Sequence, residues 1–187
     1  MRVLFVENED SFSWNVVDLL PCGRDEVLLA TAEEAAARLR ALGPDAIVVV
    51  GPGPKDPLRT GLVEVVLEAA RLGTPLLGIC LGFQALGLAF GARLVRTAPV
   101  HGKRSQVSFS PSRLFPGFEG EHPAMRYHSL ALEGIAAPLR LVARAADGVP
   151  MAIEHERLPM AGLQFHPDSY ATPGGRAMVE AFFGAVA

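Results

Sequence analysis

The first half of the chain alternates apolar runs with segments of helical spacing. Four runs rich in Val, Ile, Leu and Phe predict buried strands, at residues 2–6, 26–30, 46–50 and 76–79. Apolar residues recur at helical spacing after each of them, at residues 12–20, 31–42, 61–72 and 83–90. This order predicts an α/β fold, with an open, mostly parallel sheet flanked by helices.

Polar residues and glycine mark the ends of the predicted helices. Ser11 or Ser13 can cap the first helix, and Thr31 followed by Glu34 has the form of a capping box. Gly43 stands where the second helical pattern stops. These signals support the helices independently of their apolar spacing.

The pattern changes after Phe90. Short strands separated by Pro- and Gly-rich turns are predicted near residues 93–96, 106–109, 125–127, 140–145, 150–154 and 161–164. An amphipathic helix at residues 175–186 closes the chain. The second half therefore adds a smaller mixed or antiparallel strand region. With no repeat or linker in view, residues 1–187 are expected to form a single domain.

Composition narrows the function classes. Half of the 187 residues are hydrophobic and the net charge is -3, which suits a globular protein that does not bind nucleic acid. No apolar stretch approaches the ~18 residues of a membrane span, and the first residues lack a signal-peptide pattern. Cys22 and Cys80 do not make a disulfide framework. We therefore expect a cytoplasmic protein that does not bind membranes.

The strongest chemical motif is the turn Gly78-Ile79-Cys80-Leu81-Gly82, where the fourth strand meets the following helix. Glycines on both sides of a nucleophile allow a sharp turn that exposes the side chain between them. The N–H groups that open the helix, beginning with Leu81, can stabilise an oxyanion, and the positive helix end favours a thiolate. Cys80 is a candidate nucleophile, although the pattern also suits a buried structural cysteine.

A second group follows an apolar strand, in the segment Gln164-Phe165-His166-Pro167-Asp168. Alternation in an extended chain places His166 and Asp168 on the same side, and Pro167 favours extension of the residue before it. A carboxylate beside a histidine fixes the imidazole tautomer and stabilises its charged form, as a cysteine nucleophile requires. A lone histidine is also common on surfaces and in cores. His166 is therefore a candidate catalytic residue only in combination with Cys80.

The third element is the loop Gly51-Pro52-Gly53-Pro54, directly after the third strand. Glycine-rich turns at strand ends let backbone N–H groups face a ligand. Alone, this segment also fits an ordinary Pro/Gly loop. In a parallel sheet, however, it meets Cys80 and His166 at the edge where such folds bind ligands. The three segments together predict a cysteine-based active site.

These segments resemble class I glutamine amidotransferases, in particular the small subunits of anthranilate synthase and aminodeoxychorismate synthase. The resemblance covers nearly the whole chain. It extends to residues 7–15, to His101-Gly102-Lys103 and to Arg126-Tyr127-His128-Ser129-Leu130. It implies a flavodoxin-like, three-layer fold and an enzyme that releases ammonia from L-glutamine.

The resemblance also implies residue roles. Cys80 is expected to attack the glutamine amide, with His166 as acid and base and Asp168 orienting it. Backbone N–H groups of Gly53 and Leu81 are expected to form the oxyanion hole. The residues implied to hold glutamine are Gly53, Pro54, Lys55, Gln84, Ser129 and Leu130. Those implied to face a partner are His101, Gly102 and Lys103. The implied partner is the large subunit of a chorismate-using synthase, and no metal or other cofactor is expected.

Four residues depart from the family pattern. Asp168 replaces a glutamate and is shorter by about 1.5 Å, which predicts weaker orientation of His166. Lys55 replaces a glycine, which predicts either backbone strain of about 1 kcal/mol or a rebuilt loop. Phe83 and Glu9 replace a histidine and a tyrosine.

Several functions stay open at this point. Anthranilate synthesis is preferred to aminodeoxychorismate synthesis as the reaction that uses the ammonia, although the small subunits of the two synthases are alike. A glutaminase serving a purine or carbamoyl phosphate synthase fits less well because of the segment at residues 126–130. A non-catalytic regulatory subunit is favoured by Lys55 and Asp168 and opposed by Cys80 and His166. A cysteine hydrolase without a partner is the remaining hypothesis.

Overall fold

The structure is a computed structural model that describes residues 2–43 and 45–187, without the side chains of Val100 and His101. Within these residues, nine strands form one sheet in the order β2-β1-β3-β4-β9-β8-β7-β5-β6. The strands are β1 (Arg2–Val6), β2 (Val27–Ala30), β3 (Ala46–Val50), β4 (Leu76–Ile79), β5 (Arg93–Phe109), β6 (Gly120–Glu133), β7 (Leu139–Ala145), β8 (Pro150–His155) and β9 (Met160–Leu163).

The first five strands of that order, β2-β1-β3-β4-β9, run parallel. Helices cover both faces: α1 (Ser13–Val17), α2 (Ala32–Leu42), α3 (Leu62–Leu72), α4 (Leu81–Ala89) and α5 (Gly175–Val186). Alternate strand residues pack on α1 and α5 on one face, and on α2, α3 and α4 on the other. The predicted α/β, three-layer architecture is confirmed. None of the helices described is long and apolar enough to cross a membrane.

The remaining strands, β8, β7, β5 and β6, are antiparallel. The strands predicted at residues 93–96 and 106–109 are the two ends of a single strand, β5, and residues 125–127 lie inside β6. The Pro- and Gly-rich turn expected between these two segments is wrong, because Pro99 and Gly102 fall where the β5–β6 register shifts, between Arg96 and Val100 and between His101 and Lys103. Such bulges absorb a proline or a positive-φ glycine without ending the ladder.

Of the helix caps predicted from the sequence, the one at the start of α2 is present and the one at the start of α1 is not. The Thr31 side chain accepts from the Glu34 N–H while the Glu34 carboxylate accepts from the Thr31 N–H, so the predicted capping box is confirmed. The cap predicted at Ser11 or Ser13 is wrong. Phe12 precedes α1, which spans five residues, and the Ser13 hydroxyl donates to Glu7 instead.

The order of the strands positions the candidate site. The carboxyl ends of β1, β3, β4 and β9 meet at one edge of the sheet, because these strands are parallel neighbours. Adjacent pairing of β4 and β9 brings the turn after one strand against the segment after the other. The Cys80 N–H donates to the Leu163 carbonyl at 2.8 Å, which extends this pairing to the turn itself.

Candidate active site

Cys80 lies at the sharp turn between β4 and α4. Its backbone adopts φ 52° and ψ -95°, which a residue with a side chain rarely does. The turn is too tight for side chains on its flanks. A Cβ on Gly78 would lie 2.5 Å from the Gly82 carbonyl carbon, and one on Gly82 would lie 2.3 Å from the Val50 carbonyl oxygen. The strained geometry holds the sulfur at the end of the strand, where it is 8% exposed.

His166 faces the Cys80 sulfur from the segment after β9. Burial alone would lower the pKa of His166, but the Asp168 carboxylate and the Cys80 sulfur outweigh it and raise that pKa above its ordinary value. The charged imidazolium is therefore favoured beside the sulfur. A neutral imidazole at this position can therefore accept the proton of the facing thiol, because the charged ring that results is the favoured form.

Asp168 lies behind His166 with a loose contact. His166 Nδ1 and Asp168 Oδ1 are 3.3 Å apart, and both side chains are buried. Neither atom has an aligned hydrogen bond to any described residue. The pair is close enough for charge attraction but not aligned to fix the ring. This geometry agrees with the weak orientation expected from the short aspartate side chain.

Backbone contacts supply much of the positioning of His166. Its N–H donates to the Met125 carbonyl at 3.1 Å, and the Thr172 hydroxyl donates to the His166 carbonyl at 2.8 Å. The same hydroxyl accepts from the Met125 N–H at 3.0 Å. The Tyr127 ring stands edge-on to the imidazole, with centroids 5.1 Å apart. Thr172 and Tyr127 were not predicted, because their roles depend on pairing between β6 and the segment after β9.

A cavity of about 350 Å³ opens onto Cys80 and His166. The predicted glutamine-holding residues all line it: Gly53, Pro54, Lys55, Gln84, Ser129 and Leu130. Leu81 opens α4 next to Cys80 and is buried. Gly102 and Lys103 are on β5 and do not line the cavity, although Gly102 lies against Tyr127, which does. The side chain of His101 lies outside the described part. The described residues contain no group of three or more His, Cys, Asp or Glu able to hold a metal ion.

Gln164 is a functional candidate that the sequence reasoning missed. It is fully buried, and its Nε2 donates to the Cys80 sulfur at 3.7 Å. Gln84 Nε2 donates in turn to Gln164 Oε1 at 3.2 Å and to the Leu130 carbonyl at 3.5 Å. The signal was available, because the alternation that aligns His166 with Asp168 also aligns Gln164 with them.

Two buried polar residues of β6, Arg126 and His128, form a hydrogen-bonded chain that reaches the cavity wall at His128. Arg126 is 2% exposed and donates to Asp147 at 2.7 Å and to His128 Nε2 at 3.1 Å. His128 Nδ1 contacts the Leu130 carbonyl at 2.9 Å, so it carries the proton if Arg126 donates to the other nitrogen. Burial, with the Arg126 charge, lowers the pKa of His128 to about 4. His128 is therefore neutral at pH 7 and fixes the wall residue Leu130.

The loop after β3 fits the sequence at Gly53 and departs from expectation at Lys55. A Cβ on Gly53 would lie 2.7 Å from the Asn8 Cβ, so this position needs glycine for close approach. Lys55 is not in the left-handed region, so of the two alternatives predicted there, a strained backbone is wrong and a rebuilt loop stays a prediction. The strain lies at Glu9, with φ 61°, and Glu9 is the residue that pairs with Lys55, Oε1 to Nζ at 2.8 Å. Two departures from the family pattern thus contact each other.

Residues 4–186 match the protein-family model described as Glutamine amidotransferase class-I. Anthranilate synthase component 2 of Mycobacterium tuberculosis is 40% identical over 185 residues, 96% of this chain and 80% of that protein. Its namesake in Thermus thermophilus is 37% identical over 188 residues, 97% of this chain and 91% of the relative. Aminodeoxychorismate synthase of Streptomyces griseus is 39% identical, and the match covers 97% of this chain but 26% of that longer protein.

Solved structures share the fold. A putative GMP synthase protein from Thermoplasma acidophilum superposes with a TM-score of 0.85 at 23% identity, covering 100% of this chain and 94% of that one. A glutamine amidotransferase from Thermotoga maritima gives a TM-score of 0.73 at 18% identity, and the superposition covers 98% of this chain and 83% of that one. At these identities the likeness concerns the fold.

Proposed function

Because this chain belongs to the class-I glutamine amidotransferase family, and so is a glutamine amidotransferase, we propose that it is the glutaminase subunit of a chorismate-using synthase. It hydrolyses L-glutamine to glutamate and ammonia and delivers the ammonia to a synthase subunit. The observation that carries the proposal is the single cavity shared by Cys80, His166 and the glutamine-holding residues.

In this proposal Cys80 is the nucleophile. Its sulfur attacks the carbon of the substrate side-chain amide, and the negative charge on the amide oxygen is stabilised by the N–H groups of Gly53 and Leu81. The His166 imidazolium donates its proton to the departing nitrogen, which leaves as ammonia and a thioester remains. His166, now neutral, takes a proton from water as the water attacks the thioester, which releases glutamate and restores the thiol.

The surrounding polar groups support these steps. Asp168 favours the charged form of His166, and Gln164 donates to the sulfur while Gln84 holds the Gln164 amide in place. An N–H donor on sulfur stabilises the thiolate relative to the thiol. The proposal therefore includes Gln164 as a group that touches the reacting atom.

Anthranilate synthesis is the first choice for the acceptor reaction, and aminodeoxychorismate synthesis is the second. The first rests on relatives named anthranilate synthase component 2, which this chain matches over most of their length. The second rests on a relative named aminodeoxychorismate synthase. In both cases the synthase subunit docks at the stretch of β5 formed by residues 101–103. A catalytically impaired regulatory subunit is a weaker choice, because Cys80, His166 and Gln84 line one cavity.

Glutamate release from L-glutamine tests the proposal. The chain is assayed alone and with the large subunits of anthranilate synthase and aminodeoxychorismate synthase from the same organism. Cys80→Ala should abolish release, whereas Cys22→Ala, at the chain's other free cysteine, should not. An increase in glutamate release in the presence of one of the two large subunits identifies the acceptor reaction. Complex formation without Cys80-dependent release contradicts the proposal and supports the regulatory subunit.

A further inference from the structure

A chain of hydrogen bonds connects the Cys80 sulfur to the antiparallel half of the sheet. Gln164 Nε2 donates to the sulfur at 3.7 Å, and Gln84 Nε2 donates to Gln164 Oε1 at 3.2 Å and to the Leu130 carbonyl at 3.5 Å. His128 Nδ1 contacts the same carbonyl at 2.9 Å. The sulfur is therefore one end of a chain that reaches β6.

The other end of the chain is a group that can only donate. The Arg126 guanidinium has no acceptor atom, and its Nε donates to His128 Nε2 at 3.1 Å. His128 therefore carries its proton on Nδ1 and donates it to the Leu130 carbonyl. Asp147 holds the guanidinium in place, with Oδ2 at 2.7 Å from Nη1. The guanidinium thus selects one tautomer of the imidazole.

The Leu130 carbonyl sets the orientation of two side-chain amides. A carbonyl can only accept, so it selects the nitrogen of Gln84 rather than its oxygen. The second N–H of that nitrogen selects the oxygen of Gln164. The Gln164 nitrogen is then left to face the Cys80 sulfur. If the Gln164 amide were turned over, an oxygen would face the sulfur in place of an N–H.

The backbone of Gln164 does not decide this orientation. Gln164 is fully buried, and its backbone N–H donates to the Met151 carbonyl on β8 at 2.8 Å. This bond fixes the residue but leaves both orientations of the amide open. A buried amide adopts the orientation that satisfies its neighbours, because an unsatisfied buried polar group is costly. The orientation therefore depends on Gln84 and, through Leu130, on β6.

We propose that Arg126 and His128 are positioning residues for the nucleophile. Acting through the Leu130 carbonyl, they orient the amides of Gln84 and Gln164 so that an N–H, rather than an oxygen, faces the sulfur. A donor on the sulfur stabilises the thiolate relative to the thiol, whereas an oxygen there would repel it. This inference rests on the proposed function, because it takes the sulfur to be the nucleophile.

Alkylation of the sulfur by iodoacetamide tests the proposal without turnover. All proteins in the test carry Cys22→Ala, so that Cys80 is the only cysteine of the sequence, and the rate is measured against pH. The pH at which the rate is half-maximal reports how well the thiolate is stabilised, and we call it the alkylation midpoint. Urea unfolding of the same proteins checks that each one is folded.

Substitutions of the two glutamines should shift the alkylation midpoint. Gln164→Met keeps the length of the side chain and removes its donor, so the midpoint should rise by about one pH unit, as loss of a donor to a charged group does. Gln164→Glu keeps the shape and the acceptor for Gln84 but places an oxygen at the sulfur, so it should raise the midpoint further. Gln84→Met should raise it less than Gln164→Met, because the Gln164 amide is then free to turn over.

Two substitutions of His128 separate positioning from packing. His128→Leu removes the donor to the Leu130 carbonyl and should raise the alkylation midpoint by about half a pH unit. His128→Asn places an amide nitrogen near the position of Nδ1, so it should restore the parent midpoint. His155→Leu is the matched control. His155 is also buried, but it lies at the end of β8 and its Nδ1 accepts from the N–H groups of Arg157 and Leu158.

The titratable groups near the sulfur are the same in all these proteins. His166, with Asp168 behind it, faces the sulfur from the segment after β9. Asp10 and Lys55 line the cavity from the turns after β1 and β3. A shift of the alkylation midpoint in a folded variant therefore reports a change in the hydrogen bonds to the sulfur.

The outcomes also separate this inference from the proposed function. Raised midpoints in Gln164→Met and His128→Leu, with parent midpoints in His128→Asn and His155→Leu, support the inference even if the chain is inactive with every synthase. An unchanged midpoint in Gln164→Met or His128→Leu overturns the inference, whereas Cys80-dependent glutamate release would still support the proposed function. A shift in His128→Asn or His155→Leu equal to that in His128→Leu overturns it as well, because packing would then explain the effect.

Discussion

The parallel and antiparallel halves of the sheet position the cavity by different means. In the parallel half, the turns after β3 and β4 depend on close backbone approach at Gly53, Gly78 and Gly82. In the antiparallel half, the cavity wall on β6 is fixed by a buried arginine and a buried neutral histidine, Arg126 and His128. The stability of the parallel half should therefore be sensitive to added side-chain volume at these glycines. The stability of the antiparallel half should be sensitive to the loss or gain of a buried charge.

This difference follows from what each half buries. Strands β1, β3 and β4 are covered by helices on both faces and are apolar almost throughout, so backbone hydrogen bonds and packing determine where their ends lie. The antiparallel half buries charged groups, including Arg126 and Glu154. Such groups require specific partners, because an unpaired buried charge costs several kcal/mol.

Gly82→Ala should give the largest loss in the free energy of unfolding. It tests whether the parallel half depends on close backbone approach. Its Cβ would meet the Val50 carbonyl oxygen at 2.3 Å, and backbone on both sides of the contact has no room to move. We expect a loss of about 3 kcal/mol or more in the free energy of unfolding, measured with urea. Gly184→Ala, on the exposed side of α5 with no atom within 4 Å, should be neutral or slightly stabilising. Equal stability of the two variants would contradict the steric argument.

Arg126→Met should give the next largest effect, on the electrostatic side. It removes the buried partner of Asp147 and the donor to His128, so we expect a loss of about 2–3 kcal/mol in the free energy of unfolding. Arg93→Met is the control on the same strand pair. Arg93 and Glu133 are 73% and 59% exposed, and their pair should contribute less than about 1 kcal/mol. Similar losses in both variants would mean that burial of Arg126 has no energetic consequence.

Acid should destabilise the protein through His128. The unfolded chain takes up a proton near pH 6.5, whereas folded His128 does so near a pKa of about 4. Between these values the unfolded state binds more protons, so stability falls as pH falls, by up to about 3 kcal/mol. Urea unfolding at several pH values should show a smaller acid loss in His128→Asn. His166 acts in the opposite sense, since its raised pKa contributes stability that is lost as pH rises. If the free energy of unfolding fell equally with pH in the parent and in His128→Asn, the acid loss would not come from His128.

Asp168→Glu should give the smallest change and an increase in rate. The longer side chain can reach His166 Nδ1 with better alignment than the present 3.3 Å contact, and Asp168 borders a cavity of about 420 Å³ that leaves room for it. We expect glutaminase turnover to rise about threefold, roughly 0.6 kcal/mol in the activation barrier. Asp168→Asn, which keeps the shape and removes the charge, should lower turnover. A fall in both variants would show that the aspartate is already well placed.

The sequence predicted the parallel half well, for physical reasons. Strands in that half are short, apolar and followed by turn residues, so their ends and the convergence of Gly53, Cys80 and His166 could be predicted from local patterns. The capping box at Thr31 and Glu34 is likewise a local feature. The single-domain expectation for residues 1–187 and the catalytic roles stay predictions.

The sequence was less informative where long-range pairing decides the structure. Two short strands with a turn between them were expected where β5 is continuous, because the local pattern around Pro99 and Gly102 cannot show that a facing strand continues past a bulge. The ion pair between Lys55 and Glu9 was also beyond reach. Each residue was noted as a departure, but their contact depends on the adjacency of β1 and β3.

The hydrogen bond from the His166 N–H to the Met125 carbonyl has a mechanical consequence. Met125 belongs to β6, the strand that also carries Ser129 and Leu130 of the cavity wall. The histidine backbone therefore shares a support with the cavity wall, whereas the Cys80 backbone is tied to the parallel sheet through the Leu163 carbonyl.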